Sequence, residues 1–122
     1  MKKILIVEDD VILASTIADN LIQAGFDIVK AKDGEEGLAL AFSEKPDLIL
    51  LDILLPKMDG LTMLKRLRLD PWGKDVPVII LSNLSEPLNI ADAIGDGVRD
   101  YLVKVDWKIE DVVKRIKTKL NA

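Results

Sequence analysis

The chain has 122 residues, 49% of them hydrophobic and 31% charged, which suits one ordinary domain over 1–122 and excludes intrinsic disorder as its main state. It has no cysteine and no histidine, so disulfides, thiolate or imidazole nucleophile pairs, histidine metal ligands and cysteine-held zinc or iron–sulfur sites are all excluded. Lysine and arginine number 17 against 21 acids, a net charge of −4; a domain that grips duplex DNA through a basic surface has the opposite sign, so no direct nucleic-acid contact is expected.

Ile4-Leu5-Ile6-Val7 is a β-branched-rich run without polar alternation, the pattern of a strand buried on both faces of a parallel sheet. It meets Glu8, Asp9 and Asp10 at once, so the first residues make neither a signal peptide nor a spanning segment; the cytoplasm is the expected compartment, with no membrane partner. Leu13, Ile17 and Leu21, with Ala14 and Ala18 beside them, predict an amphipathic helix capped by Asp10 and stopped by Gly25. A weaker, half-polar strand is predicted over 27–30. Asp33 caps a second helix, with Glu35 and Glu36 in its first turn, and Pro46 ends that segment.

Asp47-Leu48-Ile49-Leu50-Leu51 reads as the third strand. Asp59-Gly60 is turn and cap chemistry at the start of a third helix, which turns Leu61, Leu64 and Leu67 inward and Lys65, Arg66 and Arg68 outward. Trp72, between Pro71 and Gly73, is expected to fold over a loop. Pro77 opens a fourth strand, Val78-Ile79-Ile80-Leu81, and Ser85-Glu86-Pro87 a fourth helix. Tyr101-Leu102-Val103 is the fifth strand. A last helix, over about 107–120 and anchored by Trp107, sets Ile109, Val112, Val113, Ile116 and Leu120 on one stripe. Strands alternating with helices over short connections predict right-handed crossovers and an α/β fold, a five-stranded parallel sheet doubly wound with helices on both faces.

In such a sheet every carboxyl end lies on one edge, which is where open α/β sheets bind ligands. The apolar runs are succeeded by Glu8, Asp9 and Asp10, then Asp52, then Ser82 and Asn83, then Lys104. If Glu8, Asp9 and Asp52 approach within ~5 Å, each pair repels by about 3 kcal/mol at an effective dielectric of ~20, and Lys104 alone does not neutralise three such charges. A hard divalent cation would, and Mg²⁺ uses one or two carboxylates, waters and a phosphoryl oxygen. Asp52 is then placed as a nucleophile toward phosphorus, with Lys104 and the Ser82 hydroxyl as donors to the remaining oxygens; phosphoryl transfer of this kind needs no histidine on the chain. An acidic triplet alone is as readily a helix start, but a strand-end aspartate succeeded by Leu-Leu-Pro does not begin a helix.

These residues, as Glu8-Asp9-Asp10, Asp52-Ile53-Leu54-Leu55-Pro56-Lys57-Met58-Asp59-Gly60, Ser82 and Tyr101-Leu102-Val103-Lys104, give the chain over essentially its whole length a sequence that resembles the receiver domains of bacterial two-component response regulators. The resemblance implies the flavodoxin-like, CheY-like fold and a histidine kinase that phosphorylates Asp52. It implies Mg²⁺ on Asp9 and Asp52, with Glu8 helping through water and the Leu54 backbone carbonyl completing the ligands. Ser82 and Tyr101 would be the switch residues, and Lys104 would bridge Asp52 and then the phosphate. A downstream protein or output domain would read the state on a face built from about 86–96, 99–104 and 107–120.

The sequence departs from that pattern at Val105, where the family commonly has a proline in a cis peptide; a non-proline cis bond costs ~3 kcal/mol, so a trans bond is expected. Val98 stands where a small alanine is common. Leu54 and Leu84 are apolar and are expected to flank the acyl phosphate and slow its hydrolysis. Two rival readings stay open on the sequence: a Mg²⁺-dependent phosphohydrolase on the same carboxylates, for which position 54 lacks the second acid, and an interaction module indifferent to phosphate. Homodimerisation on activation is also left open.

Overall fold

The computed structural model describes residues 1–53, 55–82, 100–103 and 108–120. Runs of Ile, Leu and Val too short for helices become strands, and the amphipathic stretches between them become helices. In chain order these are β1 (Lys3–Val7), α1 (Val11–Gln23), β2 (Asp27–Ala31), α2 (Gly34–Glu44), β3 (Leu48–Asp52), α3 (Gly60–Arg68), β4 (Val78–Ser82), β5 (Asp100–Val103) and α4 (Ile109–Leu120). The helix expected from Ser85 onward, Leu84, Val98 and Trp107 lie outside the described residues. All strand pairs are parallel, in the order β2-β1-β3-β4-β5. The expected five-stranded doubly wound sheet is therefore the observed one.

The two-residue period of a strand splits the apolar runs between two cores. Leu5, Val7, Ile49, Leu51, Val78 and Ile80 face Ala41 of α2 and Met63, Leu64 and Leu67 of α3. Ile4, Ile6, Leu48, Leu50, Ile79 and Leu81 face Ala14, Ile17, Ala18 and Leu21 of α1 and Val112 and Ile116 of α4. Every residue of β3 is buried, Asp52 included. A central strand covered on both faces is thus what carries the candidate acceptor.

The helix boundaries are set by their caps. Asp10 Oδ1 accepts the Leu13 N–H at 3.1 Å, Asp33 Oδ1 the Glu36 N–H at 2.8 Å and Asp59 Oδ1 the Thr62 N–H at 2.9 Å, each satisfying a donor the helix itself leaves unpaired. At the end of α1 the Gly25 and Phe26 N–H groups bond back to the carbonyls of Ile22 and Leu21.

Two inward–outward assignments in α3 differ from the expectation. Met63, not Leu61, is fully buried, and Leu61 packs only at the margin of the core. Arg68 does not point into solvent: it is partly buried, and its Nη1 donates to the carbonyls of Gly73 and Val76 at 2.8 Å each. Those carbonyls lie in the 69–76 loop, and the guanidinium of the last residue of α3 supplies a donor to both. Trp72 lies within that loop and is partly buried. It packs at the margin of the first core, edge-on to Phe42 with ring centroids 6.4 Å apart, and Lys45 Nζ lies 4.8 Å from its ring centroid.

Candidate functional site at the carboxyl edge of the sheet

The register brings the strand ends level. Val7 pairs with Leu51, Asp52 with Leu81, and Ser82 with Val103. Beyond Val7 the Glu8 N–H still donates to the Ala31 carbonyl at 3.0 Å, so β1 is held to β2 for one residue past its end. This fixes Glu8 inward, where it is 3% exposed, and sends Asp9 out to the surface. Glu8 Oε2 accepts the Asp10 N–H at 3.1 Å, which ties its carboxylate to the first turn of α1.

The carboxylates of Glu8, Asp9 and Asp52 offer ligand oxygens that all lie within 4.8 Å of one another. Asp52 is 5% exposed. Three anions this close, two of them withdrawn from water, repel strongly unless a cation joins them. The donor set is all oxygen, with one ligand open to solvent, and this is the chemistry a hard divalent cation selects over zinc or copper. The residues therefore fit a magnesium-type ion.

Asp10 is exposed and serves as the α1 cap, outside this cluster. Ser82 ends β4 and Tyr101 lies in β5, opposite Ile80, so both backbones stand where the sequence placed them. Leu54, Lys104 and Val105 lie outside the described residues. A cavity of about 710 Å³ between α1 and α4 is lined by none of the three carboxylates and does not belong to this chemistry.

The loop after Asp52 contains features that sequence reasoning missed. Gly60 lies so close to the strand that a Cβ on it would collide with the Asp52 carbonyl oxygen, and its N–H donates to the Ile53 carbonyl at 2.8 Å. Lys57 has φ 65°, and the Met58 N–H bonds the Pro56 carbonyl at 2.7 Å. The Lys57 ammonium sits 3.7 Å from Asp33 Oδ2, a carboxylate otherwise buried under the start of α2. Asp59 is pulled two ways: burial opposes its ionisation, but bonds from the Thr62 N–H and hydroxyl and from the Leu61 and Asp59 backbones hold its carboxyl below the ordinary 3.8. The Asp33-Gly34 and Asp59-Gly60 pairs were the only signal of these contacts, and they read equally well as plain caps.

Comparison with known proteins extends this geometry. The family model of the response regulator receiver domain matches residues 4–117. The chain is 39% identical over 121 residues to the DNA-binding dual master transcriptional regulator RpaA of Synechocystis sp., covering 99% of this chain and 50% of that protein. It is 37% identical over 120 residues to the alkaline phosphatase synthesis transcriptional regulatory protein PhoP of Bacillus subtilis, covering 98% and 49%. It thus spans about half the length of these curated relatives. A chain of the CheX-CheY-BeF3-Mg²⁺ complex from Borrelia burgdorferi has a TM-score of 0.88 at 29% identity, covering 98% of this chain and 89% of that one. With the match running from β1 into α4 and the acids gathered where the strands end, the chain belongs to the response regulator receiver domain family.

Proposed function

We propose that the domain, taken as one unit over 1–122, is a phospho-accepting switch in two-component signalling, in which Asp52 takes a phosphoryl group from a histidine kinase. The observation that supports it is the convergence of Glu8, Asp9 and Asp52 to within 4.8 Å at the carboxyl edge. One oxygen of Asp52 attacks the phosphorus in line. The P–O bond forms as the P–N bond to the donor imidazole breaks, and the imidazole leaves with a proton from solvent. Asp9 and Asp52, with Glu8 through water and the Leu54 carbonyl, would hold a Mg²⁺ ion, which would supply the charge neutralisation a phosphate needs to approach these acids. The solved relative described with BeF3 and Mg²⁺ is in keeping with that assignment.

The remaining roles belong to the chain. Ser82 and Lys104 donate to the phosphoryl oxygens, binding one conformation better than the other, and Tyr101 turns inward with that conformation. A downstream protein or output domain reads the change on the face formed by 86–96, 99–104 and 107–120. The state reverts when water attacks the same phosphorus, releasing phosphate and restoring the carboxylate, at a rate that Leu54 and Leu84 keep low. The domain is a switch that assists its own phosphorylation and dephosphorylation, not an enzyme acting on an external ester; the relatives compared are regulators, and none supports the phosphohydrolase reading. The setting is cytoplasmic.

The test is mass spectrometry after incubation with Mg²⁺ and a small phosphodonor. The wild type gains one phosphoryl mass and Asp52→Asn gains none; labelling that survives in Asp52→Asn moves the acceptor elsewhere.

A further inference from the structure

We infer that Lys57, held by Asp33, together with the contact of Gly34 on Met58, braces residues 55–60 against α2, so that Lys57 is a positioning residue for cation binding and phosphoryl acceptance at Asp52. The inference rests on the reading of Asp52 as acceptor. The loop is pinned at both ends of its span. Its base is closed by the Gly60 N–H on the Ile53 carbonyl at 2.8 Å, with Gly60 pressed against the Asp52 backbone so that no side chain fits.

Its tip is a γ-turn. Lys57 has φ 65°, and the Met58 N–H reaches the carbonyl two residues back, at Pro56, over 2.7 Å. This is the rare and strained form of that turn, which persists only where its surroundings over-determine it. The surroundings are the first turn of α2. A Cβ on Gly34 would collide with the Met58 carbonyl oxygen, so the two backbones touch directly. The Lys57 ammonium lies 3.7 Å from Asp33 Oδ2, while Oδ1 of the same carboxylate is committed to the Glu36 N–H at 2.8 Å. Asp33 is 3% exposed and fixed by that cap, so the pair acts as a directional tether on a mostly exposed lysine.

Residues 57 and 58 are thus held by α2, and Gly60 by the Asp52 and Ile53 backbone. Releasing the tip lets the strained turn relax, and the motion is taken up at Ile53 and Asp52, whose carboxylate must stay within reach of Glu8 and Asp9.

The experiment measures Mg²⁺ binding by calorimetry and the Mg²⁺ dependence of labelling by acetyl phosphate, for wild type, Lys57→Met, Lys57→Arg and Lys57→Gly. Metal-free stability is monitored by urea unfolding. Lys57→Met is expected to weaken Mg²⁺ binding by about threefold, the scale of one exposed ion pair, and to slow labelling by the same factor at subsaturating Mg²⁺, with the metal-free urea midpoint unchanged. Lys57→Arg restores the binding. Lys57→Gly, which removes the strain along with the tether, raises the metal-free midpoint while still binding Mg²⁺ more weakly. Equal Mg²⁺ affinity in wild type and Lys57→Met, no rescue by arginine, or a midpoint that falls in step with Mg²⁺ affinity each overturns the brace. Failure of the acceptor reading shows in the wild type, as absent labelling, whereas failure of the brace shows only in the variants.

Discussion

Asp52 illustrates the conflict a single residue can carry: it occupies a strand buried along its whole length and shares its surroundings with two other carboxylates. Folding holds these charges together against their repulsion, so Asp52→Asn is expected to raise the metal-free stability by about 1–2 kcal/mol, read as a higher urea midpoint, while abolishing labelling. Gly60 lies next to the same strand end, and Gly60→Ala drives a methyl into the Asp52 carbonyl; a cost of about 2–4 kcal/mol is expected from the resulting backbone shift, by the same measurement. Asp59 supplies a pH signature. Its folded pKa lies below the ordinary 3.8, so its contribution is present above that value and is lost as pH falls through the folded pKa. The urea-midpoint difference between wild type and Asp59→Asn should be constant above about pH 5 and shrink below 3.8, and a difference that grows on acidification would contradict the assigned bonds.

At the level of elements, helix ends were legible because caps are local. Asp10, Asp33 and Asp59 each bond an N–H three residues on, a relation that sequence spacing states outright. Which side chains point inward was less legible, because the apolar residues of a short helix fit more than one stripe. In α3 the buried stripe runs through Met63, Leu64 and Leu67, and Arg68, expected at the surface, bridges two carbonyls of the 69–76 loop. α4 is held to the second core by Val112 and Ile116, the two of its five predicted stripe residues that are fully buried. Ile116→Ala is expected to cost about 2–4 kcal/mol in urea unfolding and to lower hydrogen-exchange protection along α4. A loss below about 0.5 kcal/mol would mean that α4 is not anchored there.

For the molecule as a whole, the doubly wound arrangement converts strand ends that are far apart in the chain into neighbours on one edge. A ligand that binds only this assembled edge stabilises the whole fold. Mg²⁺ at a hundredfold over its dissociation constant should add about 2.7 kcal/mol, reversed by a chelator and diminished in Asp9→Asn. Thermal unfolding with and without Mg²⁺ checks it, and equal melting temperatures would remove the cation from this site. Among the described residues no helix is long and apolar enough to cross a membrane.

The order of strands and helices, the two-sided burial of β3 and the acids waiting at the strand tips were determined by sequence alone, because periodicity and capping act over a few residues. The 4.8 Å convergence of Glu8, Asp9 and Asp52 and the tether from Lys57 to Asp33 were decided only by tertiary structure. Each joins groups whose separation depends on how whole elements pack. No local pattern encodes that distance.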